Sequence, residues 1–426
     1  MPTRSSRARP SRRDFLGALS ASSLAVAARP QSPVGAASAS RLLRIRTLTA
    51  GVPLTTLDDL APVRAAFDGL TRARDRCVAA GYEVQTIRIA LPPLIATMTQ
   101  EARDAARPAL VALDTLVAGR GAVVSLGPVL MEDRADRMLA TWAMHLVTET
   151  RVTSFSVMVA TPDYRPLPGT YRTAAEIIRV LTAAVPGGIA NFRFAAAACV
   201  PSGTPFFPVA WHDGPASLAV GCETPRLLLS ALADTTAGDT PDARMRVVLD
   251  RELTPVAALA RAAAEAEGWR YGGLDPSPAP GLDSSIGLVI EALRQGLFGG
   301  AGTLAACSTL TAALKSLSVE TCGYAGLMLP VLEDPILAMR AAEGRYSVRD
   351  LLLYSSVCGT GLDVVPLAGD VREDVLARTI GDVAAMAARL RKPLSARLFP
   401  VPGAKVGDPV RFGDPLLTSC VAMALA

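Results

Sequence analysis

From residue 42 onward, short runs of β-branched and aliphatic residues alternate with longer stretches in which apolar residues recur every three or four positions. The first pattern belongs to strands and the second to amphipathic helices. Strands are predicted over 43–48, 83–91, 122–129, 153–160, 192–200 and 217–222. The intervening helices fall over 58–80, 99–118, 133–149, 171–185 and 224–234. Asp58 or Asp59 stands where the first helix needs a cap, and Gly81 where it must stop. In the second half, helices over 254–267, 286–293, 303–317, 348–357 and 371–390 alternate with strands over 269–274, 362–367 and 394–400. The strands are apolar along much of their length, which implies a sheet covered on both faces and hence an α/β fold. No self-similarity appears at a period of roughly 20 to 50 residues, which argues against a solenoid.

Between the strand at 269–274 and the next helix, Pro276, Pro278 and Pro280 occupy alternate positions. Proline cannot continue a helix interior or a central strand, so this loop is predicted to be rigid and extended. Asp283 or Ser284 then caps the following helix.

Composition changes the picture mainly at the N-terminus. The chain has 426 residues, half of them apolar and 19% charged, which excludes a disordered or collagen-like chain. Its net charge of +4 is carried by the first 27 residues, where Arg4, Arg7, Arg9, Arg12 and Arg13 face the single acid Asp14. The remainder is neutral, so the basic footprint of a nucleic-acid binder is missing. Arg12 and Arg13, followed by Phe15 and Leu16 and then by an apolar run rich in small residues, resemble a twin-arginine export signal. This predicts a leader and linker over 1–39, with cleavage after Ala27 or Ala39. Passage through the twin-arginine translocon would deliver the protein to the periplasm or outside the cell, free of the membrane once cleaved. One large α/β domain is expected over 42–425, in halves of about 42–238 and 240–425. The odd number of cysteines, seven, leaves at least one unpaired within a single chain, and their apolar flanks read as buried thiols.

Candidate chemistry is sparse. Only two histidines occur, which excludes a His-rich metal site, and no metal is expected. The glycines at 296, 299, 300 and 302 open a helix but lack the Lys-Ser/Thr of a phosphate loop. His212 sits in a loop of aromatics, Pro and Gly and could serve as acid or base. Cys358 and Asp363 flank Gly359 and Gly361 where a helix enters a strand, a place where backbone can approach a ligand closely. Glu333 and Asp334 form an acidic pair whose bland reading is a helix N-terminus.

Taken in order, several segments resemble the prokaryotic family catalogued as domain of unknown function 711. They are the opening Ile45-Arg46-Thr47-Leu48-Thr49, the stretch from Phe207 to Gly214, the proline loop running into Asp283 and Ser284, and Cys322 ahead of Leu329-Pro330-Val331-Leu332-Glu333-Asp334. Cys358-Gly359-Thr360-Gly361-Leu362-Asp363 and the run from Ala396 to Asp408 complete the series. The resemblance implies a fold like that of pyruvate formate-lyase and ribonucleotide reductase, a barrel of two half-barrels with helices outside, and it supplies no agreed activity. Near the C-terminus the chain reads Arg411-Phe412-Gly413-Asp414-Pro415, which is not a glycyl-radical loop, so radical chemistry is disfavoured. Ala301 stands where the family pattern has a histidine, and the loop at Cys322 is shorter.

The leading expectation is therefore an exported, non-radical enzyme acting on a small polar metabolite in a central cleft. Cys358, Asp363, His212 and Asp283 are the candidate catalytic groups, and Ser284, Glu333, Asp334 and Cys322 the candidate binding groups. The competing expectation is an extracytoplasmic binding protein without turnover. Cofactor and reaction stay open, as does a homo-oligomeric state.

Overall fold

Nine strands hydrogen-bond into one sheet in the computed structural model, which describes residues 42–233 and 240–425. The predicted export leader lies outside those residues. In chain order the strands are β1 (Arg44–Gly51), β2 (Val84–Ala90), β3 (Val123–Pro128), β4 (Thr153–Ala160), β5 (Phe194–Ala198), β6 (Ser217–Glu223), β7 (Arg270–Asp275), β8 (Gly361–Ala368) and β9 (Leu394–Val401). Across the sheet they run β7-β6-β1-β2-β3-β4-β5-β9-β8. β1 to β5 are mutually parallel. β6 joins β1, and β9 joins β5, in antiparallel fashion. The pairs β6–β7 and β8–β9 are again parallel. Five central strands thus run one way and two flanking pairs run the other.

The outermost strands, β7 and β8, do not pair with each other, so the strand ladders form an open sheet where a closed barrel was expected. The stretch between them makes isolated contacts: Thr321 bridges Leu274 and Pro330 bridges Asp363, both in parallel sense. Pro330 has no amide to give, and Gly323 and Gly326 interrupt the same stretch, so it cannot carry a regular ladder.

One face of the sheet is covered by helices, among them Ala61–Ala79, Arg107–Ala118, Gly169–Ala184, Pro241–Ala266 and Glu373–Leu390. Strand alternation sends Ile45, Ile89, Val124, Phe155, Ala196 and Leu398 into this layer. Phe155 packs its ring 5.9 Å from Trp142 and 5.2 Å from Phe194. Fully burying such side chains contributes about 1.5–3 kcal/mol each, which makes this layer the main source of stability.

Several boundaries differ from the sequence reading for local reasons. The helix predicted over 99–118 divides into Gln100–Ala105 and Arg107–Ala118, the second carrying a proline in its first turn. The helix predicted from 133 begins at Leu139, because the acids ahead of it are occupied otherwise: Asp133 accepts from the Gly169 amide, and Asp136 pairs with the buried Arg103 at 2.7 Å. The helix predicted from 254 starts at Pro241 and carries Pro255 inside it. A proline at that position reads in sequence as a boundary.

Candidate functional site

The opposite face of the sheet is partly filled by loops at 201–214, 275–285 and 322–334. Phe206, Val209, Ala279, Tyr324 and Met328 from these loops pack on Ala195 and Ala197 of β5. A cavity of about 310 Å³ remains among them. Alternation along the strands sets its lining: Thr86 and Arg88 of β2, and Ser395 and Arg397 of β9, point into it, while their neighbours Ile87, Ile89, Ala396 and Leu398 face the helices.

A chain of charged and amide groups crosses this face. Arg44 donates through Nη1 to Glu223 Oε1 at 2.9 Å, and Gln85 Nε2 donates to Glu223 Oε2 at 2.7 Å. Arg46 Nη1 donates to Gln85 Oε1 at 3.1 Å, and its Nη2 lies 3.4 Å from Glu333 Oε2. Arg397 Nη1 then reaches Glu333 Oε1 at 3.4 Å and Asp363 Oδ1 at 2.8 Å. Arginine keeps its proton under any physiological condition, so this chain positions charges and does not relay protons.

Asp363 owes its aim to backbone geometry. The β8–β9 register breaks between Leu362 and Val365, and Val364 adopts a φ of 42°. Left-handed backbone at a β-branched residue is strained, and a bulge of this kind re-aims the side chain beside it. Burial pushes the Asp363 carboxyl above the usual carboxylate range, with Arg397 opposing the shift. The phenol of Tyr324 donates to Ser395 Oγ at 3.0 Å, and Ser395 Oγ donates in turn to the Thr360 carbonyl at 3.0 Å. Burial raises the Tyr324 phenol, so it stays protonated at neutral pH.

Three further arginines line the cavity without a carboxylate partner, Arg151 exposed and Arg88 and Arg193 half-buried. Arg193 gives its N–H groups to the carbonyls of Thr153, Val147 and Thr150, closing off the end of helix Leu139–Glu149. Burial pushes it down to about 10. Arg88 donates through Nε to Thr86 Oγ1 at 3.1 Å, and its guanidinium sits 5.2 Å from the centre of the Phe207 ring. Burial pushes Arg88 down to about 9, and the nearby charges of Arg46 and Arg397 add to the effect.

Of the eight residues singled out from the sequence, Asp363 and Glu333 line this cavity. Asp283 is instead an exposed acid paired with Arg44 at 2.6 Å, joined to the site only through the charged chain. Cys358 is buried away from the lining, and Lys392 Nζ caps its carbonyl at 2.6 Å. The expectation that Asp283, Asp363 and Cys358 share one cavity therefore does not hold. His212 is fully buried; one ring nitrogen lies 2.9 Å from the Gly214 carbonyl, and burial lowers its basicity. Gly51 makes room for that ring: a Cβ there would stand 2.1 Å from His212 Nδ1. Ser284 closes a tight turn with Gly281, and Cys322 hydrogen-bonds through its amide to Leu274 beside β7.

Asp334 is buried at the meeting point of two helices. Its Oδ1 accepts from Ser285 Oγ and from the amides of Ile336 and Leu337, and its Oδ2 from the amides of Ile286 and Gly287. It thus caps Ile286–Arg294 and Pro335–Ala342 together. Asp275, within the proline loop, plays a similar part. Its oxygens accept from the Ser277 amide and hydroxyl and from the amides of Tyr324 and Ala325, holding one loop of the cavity wall on another. Gly359 meets Gly326 backbone to backbone, where a Cβ on either would lie 2.6–2.7 Å from the other's Cα. The glycines there are packing devices for the loops that wall the cavity.

The arginines of the lining were the residues that sequence reasoning missed. Their signal was the alternation Thr86-Ile87-Arg88-Ile89 and Ser395-Ala396-Arg397-Leu398, polar and apolar at a period of two. Among the described residues, no three His, Cys, Asp or Glu side chains gather in a way that could hold a metal ion, and no helix is long and apolar enough to cross a membrane.

The family model described as uncharacterised ACR (DUF711) matches residues 39–414. The chain is 32% identical over 391 residues to a UPF0210 protein of Pyrobaculum arsenaticum, covering 86% of this chain and 85% of that one. It is 31% identical to a UPF0210 protein of Syntrophobacter fumaroxidans over 73% and 70% of the two chains. With a UPF0210 protein of Desulforudis audaxviator it shares 27% identity over 87% and 88%.

Proposed function

The chain belongs to the uncharacterised family DUF711, and since its relatives bring no reaction with them, we propose from the cavity itself that it is a non-radical enzyme acting on a small polar metabolite. The observation that carries this reading is Asp363. A buried acid with a raised pKa, on a strained bulge and facing a cavity, is the arrangement expected of a proton-transfer group. Arg397, fixed by two carboxylates, would orient the substrate beside it, and Tyr324 would supply a neutral hydrogen-bond donor. The C-terminal run Arg411-Phe412-Gly413 offers no radical-bearing glycine loop, which supports chemistry by proton transfer.

We infer the frame to be a barrel of two half-barrels, divided near residue 239, whose outermost strands β7 and β8 are drawn together by the stretch 320–331. The two isolated bridges at Leu274 and Pro330 support this. Export by the twin-arginine route is part of the same reading and rests on Arg12, Arg13, Phe15 and Leu16.

A second reading, binding without turnover, is favoured by the absence from the lining of any cysteine, and by the pairing of Glu333 with Arg46 and Arg397. Screening metabolites by thermal shift and then assaying turnover of the hits separates the two. In the enzyme, Asp363→Asn keeps binding and loses turnover. Turnover undiminished in that variant overturns the role of Asp363, and tight binding with no turnover of any hit selects the binding protein.

A further inference from the structure

We propose that Arg88 is the anchor of an oxyanion subsite, so that the molecule taken into this cavity carries a carboxylate or phosphate group. The inference rests on the reading of the cavity as a ligand site and names the class of ligand. Five arginines line the cavity (Arg46, Arg88, Arg151, Arg193 and Arg397) against three carboxylates (Glu333, Asp363 and Asp414). The carboxylates are already engaged. Glu333 is shared by Arg46 and Arg397, Asp363 is held by Arg397, and Asp414 accepts from the Leu416 amide at 2.8 Å. Arg193 spends its donors on backbone carbonyls, and Arg151 is exposed at the rim and solvated.

Arg88 differs from these. Its Nε is taken by Thr86, and among the described residues neither terminal nitrogen has a protein acceptor and no carboxylate lies within ion-pair distance. A guanidinium in this state carries two parallel N–H groups whose spacing matches a carboxylate or phosphate edge. The Phe207 ring, 5.2 Å away, packs on the guanidinium without neutralising its charge. Arg88 is half-buried and its terminal nitrogens still meet the solvent of the cavity, so an anion entering there exchanges that water for two charge-assisted hydrogen bonds. The volume, about 310 Å³, is at the small end of ligand cavities and fits a compact metabolite. Arg88 and Asp363 line the same cavity, so the anionic group held at the first would leave the rest of the molecule near the second.

The test uses the full chain with inorganic phosphate and succinate as probes, and sodium chloride at matched ionic strength as the control. Melting temperature and calorimetric affinity are measured for wild type, Arg88→Met and Arg88→Lys. At least one probe raises the wild-type melting temperature beyond the chloride control. Arg88→Lys, which keeps the charge and loses the fork, binds that probe ~10- to 100-fold more weakly, the value of one hydrogen bond to a charged group. Arg88→Met loses the response while melting, without probe, no lower than wild type. Phosphate and succinate distinguish the two oxyanion classes. If neither exceeds chloride in the wild type, or if Arg88→Met responds in full, the subsite is overturned. Asp363→Asn with anion binding intact and turnover undiminished would overturn the role of Asp363 alone, anion binding with no turnover of any hit would overturn the enzyme reading alone, and either would leave the subsite standing.

Discussion

Nη1 of Arg397 lies 2.8 Å from Asp363 and 3.4 Å from Glu333, so a single guanidinium nitrogen holds two carboxylates on the same cavity wall. Two acids this close to one cation differ in environment. Glu333 also meets Arg46, whereas Asp363 has Arg397 alone among the arginines. Burial raises the Asp363 carboxyl, and among the arginines Arg397 opposes that shift by itself.

Asp363→Asn should alter how stability depends on pH. Burial raises the Asp363 pKa in the folded state, so the folded chain holds that proton more tightly than the unfolded one. Its contribution is then full below the unfolded value of about 3.9 and declines as pH rises through the elevated folded value. Asparagine has no such dependence, so the variant's melting temperature relative to wild type should climb across that interval. A difference that stays flat from about pH 4 to about pH 8 would place the pKa of Asp363 at its ordinary value.

Asp334→Ala should destabilise the chain by about 2–4 kcal/mol. Two helix caps at about 1 kcal/mol each are lost, and buried amides are left without acceptors. Asp334→Asn should fall between, since its amide nitrogen cannot accept from Ile286 and Gly287. Urea unfolding measures both, and a loss below about 1 kcal/mol for alanine contradicts the double cap.

Gly51→Ala should cost about 1–3 kcal/mol through the collision with the His212 ring. His212→Ala in the same background should recover part of that loss. A double-mutant cycle built from thermal melts reads the coupling, and purely additive effects would mean that the ring moves aside freely.

Replacing Arg12 and Arg13 with lysine should strand the precursor in the cytoplasm. Fractionation of cells expressing the full chain decides the point. Wild-type levels of the double variant outside the cytoplasm would falsify the twin-arginine assignment.

The succession of strands and helices was legible because local periodicity encodes it: β2, β4, β8 and β9 fall within a residue of where the pattern puts them. The open edge between β7 and β8 was not legible, since it depends on how 320–331 meets residues far along the chain. Glu333 and Asp363 stood out as acids beside proline and glycine, and both face the cavity. Asp334 and Asp283 shared that local signature, yet one is consumed by helix amides and the other lies outside paired with Arg44. Chemistry at a loop residue depends on which partner the fold brings to it, and those partners lie 48 residues away for Asp334 and 239 for Asp283. Arg88 and Arg397 were overlooked because their strands read as apolar on average. Averaging hides a period of two.

Glu333 and Asp334 are joined by one peptide bond. The first faces the cavity, and the second is pinned across the starts of two helices. A ligand that draws on Glu333 therefore pulls at the fulcrum of both helices at once. Occupancy should be readable at a distance from the cavity, as slower hydrogen exchange at the Ile286, Gly287, Ile336 and Leu337 amides that converge on Asp334. Such slowing would make the seam between two helices a gauge of whether the cavity is filled, and unchanged exchange on saturation with a ligand would show that the two are uncoupled.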